Sequence, residues 1–233
     1  MPDQRRHRAY VGAAAQYDII GASQFALAVA CGLREEHHLL DFGCGSLRAG
    51  RFFITYLRSG HYFGIEPNRW LVESAFTEEL GADILSIKAP NFAFVDNFSI
   101  PFTRRFDYII AQSIFTHMGR ELVIRLFKSA ARALAENGIF LATFFLGDKD
   151  ETRQGWIYFD TVPRGESVAT PYREGTITTL AGDAGLKSCK LPYHHPRGQT
   201  WFLFTKRDSR LPSPSQIALL HGLQAMPSLL PEE

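Results

Sequence analysis

The sequence predicts an α/β protein: a mostly parallel sheet with helices on both faces. Three observations predict it. Short apolar strand patterns alternate with helical patterns from about Asp18 to Lys206, and strands alternating with helices pair in parallel. The first strand runs into two glycines one residue apart, in "LLDFGCGSLRAG" (Leu39–Gly50), a turn whose backbone can pass close to a ligand. In "RELVIRLFKSAARALAENG" the stripe Leu122, Leu126, Phe127, Ala130 and Leu134 faces away from Glu121, Arg125, Lys128 and Arg132, as in a helix lying on a sheet.

The elements follow in order. "SQFALAVACGL" (Ser23–Leu33) is an apolar helix with Ser23 as its cap. "HLLDF" is a buried strand and "RAGRFFITYL" the helix after the glycines. "HYFGIE" (His61–Glu66) is the second strand, with Pro67 in the first turn of the helix through "RWLVESAFTEEL". "NFAFVD" (Asn91–Asp96) and "FDYIIAQ" (Phe106–Gln112) are the third and fourth strands. The stripe helix closes at Asn137-Gly138, where Gly138 is free to take positive φ. "IFLATFF" (Ile139–Phe145) is the fifth strand.

The alternation then breaks. Residues 147–173 are polar, with one aromatic piece, "GWIYFD", and are expected to form a hairpin or lid over the sheet edge. A helix over Glu174–Leu186 follows, then two strands, "KSCKLPY" and "QTWFLFTK", joined by the turn "HHPRG". The expected organisation is an N-terminal tail over 1–16, one domain over 17–206 and a tail over 207–233 holding four prolines.

Composition narrows the function. A formal net charge of +1 gives no general pull toward nucleic acid or an anionic membrane. The basic run Arg5-Arg6-His7-Arg8 reads as a solvated tail. No apolar stretch is long enough for a bilayer, and no signal-peptide pattern opens the chain. The cysteines Cys31, Cys44 and Cys189 are far apart and form neither a metal pair nor a disulfide framework, so a reducing, cytoplasmic setting is expected.

The glycine turn then has to be matched to a ligand. A dinucleotide fingerprint wants a third glycine where Arg48 stands, and a phosphate loop wants a lysine this stretch lacks. Glu66 ends the second strand about twenty residues on, the place of a carboxylate that accepts from ribose hydroxyls. A ribose acid without phosphate machinery suits a nucleoside that carries a zwitterionic amino acid. Turn N–H groups would meet its carboxylate, and Asp41 or a backbone carbonyl its ammonium.

These residues resemble the class I S-adenosylmethionine-dependent methyltransferases, over about Gln16 to Lys206. "LLDFGCGSLRAG" is similar to the family's glycine-loop motif and "YFGIEPN" to its ribose-acid motif. "FVDNFSIPF" and "FDYIIAQSIFTHM" resemble the adenine-side loop and the next strand, and "ARALAENGIFLATFF" the helix–Gly–strand after it. The resemblance implies a Rossmann-like fold of seven strands in the order 3-2-1-4-5-7-6, the last antiparallel. It implies that Asp41, Gly43 and Gly45 line the methionine part of S-adenosylmethionine and that Glu66 binds the ribose. It places Asp96 and Asn97 near adenine N6, Phe98 against the ring, and Gln112 and Ser113 facing the methyl donor. A typical member has a small residue after the acid in the third-strand loop; here Asn97-Phe98 follow Asp96. Arg48 is open to three readings: a carboxylate ligand of the cofactor, one of the acceptor, or a salt bridge on a helix surface.

Methyl transfer from a sulfonium needs alignment above all, worth ~7–11 kcal/mol. A hydroxyl acceptor also needs a base. His117, after the fourth strand, is the candidate, as base, substrate contact or structural residue. His194 and His195 read more readily as structural. Oxygen is the expected acceptor atom, because histidines are near and Gln112-Ser113-Ile114-Phe115 replaces the Asn/Asp-Pro-Pro-aromatic run that favours nitrogen. The acceptor is expected to be a small molecule, with no nucleic acid or membrane partner and no metal. Trp156, Tyr158, Phe159, Tyr172 and Trp201 could wall an acceptor pocket or simply fill the core. Cys44 reads as a small turn residue rather than a nucleophile. Two other functions fit the same turn: a binding protein of this fold without catalysis, and an NAD(P)-dependent oxidoreductase.

Overall fold

The computed structural model describes residues 6–157 and 169–222. Its centre is one sheet. In chain order the strands are β1 (Leu39–Phe42), β2 (Tyr62–Ile65), β3 (Asn91–Ala93), β4 (Phe106–Ala111), β5 (Leu134–Leu146), β6 (Pro171–Tyr172), β7 (Lys187–Leu191) and β8 (Thr200–Thr205). They run β3-β2-β1-β4-β5-β8-β7, with the two-residue β6 pairing on β5. All pairings are parallel except those of β8 with β5 and β7. Without β6 this is the expected order 3-2-1-4-5-7-6 with its last strand reversed.

The pleat splits the apolar residues into two layers. Leu40, Phe42, Ile109, Ala111, Phe140, Ala142 and Phe204 pack with α6 (Arg120–Ala133) and α7 (Glu174–Asp183) on one face. Leu39, Tyr108, Ile110, Ile139, Leu141 and Trp201 pack on the other. There they meet α2 (Tyr17–Ala30), α3 (Gly50–Tyr56), α4 (Arg69–Ala75) and α8 (Pro214–Gly222). The α6 stripe Leu122, Leu126, Phe127 and Ala130 is buried as its spacing requires. Short α1 (Arg6–Tyr10) and α5 (Ile84–Lys88) complete the α-helices among the described residues.

Several boundaries differ from the sequence pattern. α2 begins at Tyr17, so Ser23 is inside the helix and its Oγ donates to the Tyr193 hydroxyl instead of capping. Tyr17 and Ile20 are buried with Gln24 and Leu27, which extends the apolar face a turn and a half upstream. Pro67 precedes α4, whose cap position is Asn68. β3 keeps only Asn91–Ala93 of the predicted strand.

α6 stops at Ala133, not at Asn137-Gly138, and residues from Leu134 are already extended. Leu134 pairs with Phe106, and a register shift before the Tyr108–Ile139 pair absorbs the residues between. Gly138 is not among the glycines with positive φ. It is needed for space: a Cβ there would stand 2.8 Å from Leu134 Cδ1 and 2.9 Å from the Phe106 carbonyl oxygen.

The N-terminal segment also departs from expectation. His7 is only 3% exposed and meets Glu79, to which Arg8 and Arg51 also turn. Residues 6–10 therefore dock on the body as a charged clasp rather than a solvated run. Of the segment 147–173, residues 158–168 lie outside the described residues, and so do Tyr158 and Phe159. Trp156 pairs its backbone with Met118.

Candidate functional site

The C-terminal ends of β1, β2 and β4 meet at one edge, where the strand order turns back, the place where open α/β sheets bind ligands. After Phe42 the chain turns through Gly43 at φ +74° and Gly45 at φ +53°. The Gly43 and Cys44 N–H groups donate to the Ile65 carbonyl at 2.8 and 3.0 Å, which locks the turn onto β2. A Cβ on Gly43 would fall 2.1 Å from Ile114 Cδ1, and one on Gly45 2.8 Å from Val11 Cγ1. The turn is glycine both for its dihedrals and because Ile114 and Val11 lie directly against it.

Glu66 is buried, and its two oxygens are both engaged. Oε2 accepts the Gly45 N–H at 3.1 Å, and Oε1 accepts the Asn68 backbone N–H and Nδ2, each at 2.9 Å. A carboxylate has about four acceptor sites, so these three bonds leave capacity for a ligand hydroxyl. Asp41 alternates with Leu40 and Phe42, so it faces the α2–α3 layer. It is buried and accepts from the Tyr62 hydroxyl at 2.9 Å. Burial pushes its carboxyl up to about 6. Burial also drives the Cys44 thiol well up, which agrees with a small turn residue rather than a nucleophile.

Arg48 has no salt bridge among the described residues, which removes the reading of a surface ion pair. It is 9% exposed; Nη1 donates to the Val11 carbonyl at 2.9 Å and Nε has no partner. Burial, and then the neighbouring Arg197, lower its pKa to about 10, so the guanidinium stays charged at neutral pH.

Gln112, at the end of β4, is buried, and its amide meets His195 Nε2 at 2.8 Å. His195 Nδ1 accepts the Arg197 N–H at 3.1 Å. Burial, with Arg48, Arg197 and His194 adding repulsion, takes His195 down to about 3, so the ring is neutral. A neutral imidazole that accepts at Nδ1 carries its proton on Nε2. As placed, Gln112 Nε2 faces this ring and Oε1 is the buried atom without a partner; the tautomer assigns the amide the other way round, oxygen toward His195 and NH2 at the unpartnered end.

Ser113 has φ +58°, its N–H donates to Thr143 Oγ1 at 2.8 Å, and its hydroxyl exchanges hydrogen bonds with the Gln199 amide. His117 ends a turn of 3₁₀ helix over Phe115–His117 and lies 5.5 Å, ring to ring, from Trp156. Its ring nitrogens have no hydrogen-bond partner among the described residues. Burial, and secondarily Arg197, hold its pKa below the ordinary histidine value.

The third-strand loop is more open. Asp96 and Asn97 are exposed, and Asn97 Oδ1 accepts from Ser99 N and Oγ at 3.1 and 2.6 Å. Phe98 takes φ +58° and stacks over Phe42 with ring centroids 6.4 Å apart, with Trp156 at 5.8 Å. Of the other aromatics, Tyr172 and Trp201 are core: both are almost fully buried, and the Tyr172 hydroxyl donates to the Met118 carbonyl.

Asp41, Gly43, Gly45, Arg48 and Gln112 thus share one recess, with Val11 and Gln24, of about 30 Å³. Glu66 adjoins it through Gly45, Ser113 follows Gln112, and Asp96 and Asn97 stand apart in the loop after β3. Sequence reasoning missed Val11, Gln24 and Gln199. The "HHPRG" turn was the available signal for His195 and Arg197, and Arg48 showed only as the residue replacing a glycine.

The donor set fits S-adenosylmethionine. A glycine cradle, two buried carboxylates and two buried unpartnered donors, Arg48 Nε and the Gln112 amide, suit a sugar diol and a zwitterion. Residues 40–140 match the family model of a methyltransferase domain. Solved structures share the fold at low identity. An S-adenosylmethionine-dependent methyltransferase from Clostridium acetobutylicum has 15% identity over 81% of this chain and 91% of its own, at a TM-score of 0.58. The magnesium protoporphyrin IX methyltransferase of Synechocystis PCC 6803, with bound S-adenosylhomocysteine, has 13% over 82% and 86%, at 0.60. A glycopeptide N-methyltransferase has 11% over 80% and 90%, at 0.59. The matched segment and the sheet order agree: over residues 40–140 the chain is similar to a methyltransferase domain, and its fold is the one these solved methyltransferases share.

Proposed function

We propose that this protein moves the methyl group of S-adenosylmethionine to a hydroxyl oxygen of a small molecule, with His117 as the general base. The observation that carries the proposal is the state of His117: neutral at physiological pH, partly buried, and with no ring hydrogen bond among the described residues. A histidine held for structure alone ordinarily spends at least one ring nitrogen on a neighbour.

Each residue then has a task. Glu66 takes a ribose hydroxyl on the acceptor capacity its present bonds leave. Asp41 faces the ammonium, and the Gly43–Gly45 backbone shapes the methionine end. Phe98 offers a face to the adenine, with Asp96 and Asn97 at its edge. Gln112 and Ser113 are held by His195 and Gln199 beside the reacting carbon. The cofactor, when bound, supplies a methyl already activated by its sulfonium. His117 accepts the proton of the acceptor hydroxyl, and Trp156 packs against the imidazole and limits its rotation.

A mass-spectrometric screen of small molecules for the gain of one methyl tests the proposal. Expected are O-methyl ethers of hydroxylated acceptors, whose formation drops sharply in His117→Ala. Products methylated only on nitrogen, or a rate indifferent to His117 at every pH, would refute the oxygen assignment. Tight S-adenosylhomocysteine binding without any transfer would favour a binding protein of the same fold.

A further inference from the structure

We propose that Arg48 and Arg197 form a receptor for a carboxylate at the methyl-donor edge. The inference rests on reading this recess as the methyl-transfer site. The two guanidinium groups converge: Arg197 Nη1 and Arg48 Nη1 lie 3.0 and 3.7 Å from the point a Cβ on Gly12 would occupy. Neither has a carboxylate within ion-pair distance among the described residues. Asp41 lines the same recess, but it spends one oxygen on Tyr62 and stands outside salt-bridge range of Arg48.

Two like charges side by side, one of them buried, are expensive to hold unless an anion arrives. The fold holds them in place. Arg48 is pinned by the Val11 carbonyl and by the turn itself, and Arg197 follows the Pro196 corner whose His195 is locked to Gln112. Arg48 Nε is buried with no partner, and the Gln112 amide, in the orientation assigned from the His195 tautomer, turns its NH2 to the same recess. Both are donors, so the ligand group must accept on more than one atom and carry negative charge. A carboxylate does this, and a guanidinium fork matches its geometry.

That carboxylate has two sources: the amino-acid end of the cofactor, or an acid group on the acceptor. Calorimetric titration of the full chain separates them. The first probe pair is S-adenosylhomocysteine and the same thioether lacking only its carboxylate. The second, added to protein saturated with S-adenosylhomocysteine, is a set of small hydroxy acids and their amides. Wild type, Arg48→Gln, Arg48→Lys and Arg197→Gln are compared, with thermal unfolding as the folding control.

If the cofactor is the source, wild type prefers S-adenosylhomocysteine over its decarboxylated form by tenfold or more, and Arg48→Gln brings the two within about twofold. If the acceptor is the source, that ratio survives in Arg48→Gln, while wild type prefers acids over amides and Arg197→Gln erases the preference. Should neither preference depend on Arg48 or Arg197, the receptor does not exist. Arg197 is exposed, so its variant stays informative even if Arg48→Gln fails to fold. Wild type that binds S-adenosylhomocysteine without any turnover would sink the proposed reaction and leave these ratios readable.

Discussion

The Gly45 backbone N–H donates to Glu66 Oε2 at 3.1 Å, which ties the turn after β1 to the end of β2. One carboxylate thus shapes the glycine cradle and is proposed to receive the ribose.

Replacing Glu66 tests both tasks. Glu66→Ala removes the carboxylate acceptor from a ligand hydroxyl and releases the turn. Hydrogen bonds to charged groups contribute roughly 1.5–3 kcal/mol each. S-adenosylhomocysteine affinity should fall by about ten- to a hundredfold, while circular dichroism stays native. Glu66→Gln can still accept the Gly45 N–H and should lie between. Calorimetry showing equal Kd for all three proteins would remove Glu66 from the ribose site.

The His117 base has a pH signature. Its pKa is held below the ordinary histidine value, so the active, neutral form is already full at neutral pH. Expected is a kcat/KM that rises through a pKa under 6.5 and is flat above it. His117→Ala should lose about 10²–10⁴ in kcat and also lose that limb. Cofactor affinity should change far less. A limb that persists in the variant would assign the ionisation elsewhere.

Asp41 links the site to stability. Folded Asp41 keeps its proton to about 6, against 3.8 for an ordinary Asp. Between those values the folded chain binds more protons than the unfolded one, so this group lowers stability as pH rises. Above the folded value the whole burden is present, of order 3 kcal/mol. Asp41→Asn keeps an acceptor for Tyr62 and should raise Tm at about pH 7.5, with the gain shrinking toward about pH 4. It should weaken cofactor binding at the same time. Calorimetric scans with the same Tm gain at both pH values would show that proton linkage is not its source.

The clasp of residues 6–10 covers the cradle through Val11. The recess of about 30 Å³ is far below the roughly 300 Å³ or more of a small-molecule pocket. Val11 lies against Gly45 at this end of the site, so cofactor entry is expected to displace the Val11 segment. Arg8→Gln removes the two-pronged bond to Glu79 and should speed association of S-adenosylhomocysteine in stopped-flow measurements. Amides of residues 8–12 should exchange faster in that variant. Unchanged association in a variant with faster exchange would mean that entry takes another path.

The sheet was legible because burial leaves a periodic trace. "LLDF", "YFGI" and "FDYIIA" are apolar runs that only a strand covered on both faces keeps out of water, and the α6 stripe has the helix period. Boundaries were less legible where tertiary contact overrides local preference. Leu134 joins the sheet beside Phe106 although its spacing continues the α6 stripe, and Gly138 answers a neighbour's volume, not a dihedral. The docking of His7 and Arg8 could not be read, because their partner Glu79 is far away in the chain and carries no local mark.

The alternating α/β order, the glycine turn and the acid at the end of the second strand, and with them the expectation of an S-adenosylmethionine cofactor, can be read along the chain. These are local patterns, each confined to a few consecutive residues. Folding in three dimensions settles the rest: Arg48 is buried with no ion-pair partner among the described residues, His195 orients Gln112, and Val11 lies against the cradle. Those facts depend on which distant segments exclude water from one another, and exclusion of water sets whether a charge is paired, a histidine neutral or a carboxyl protonated.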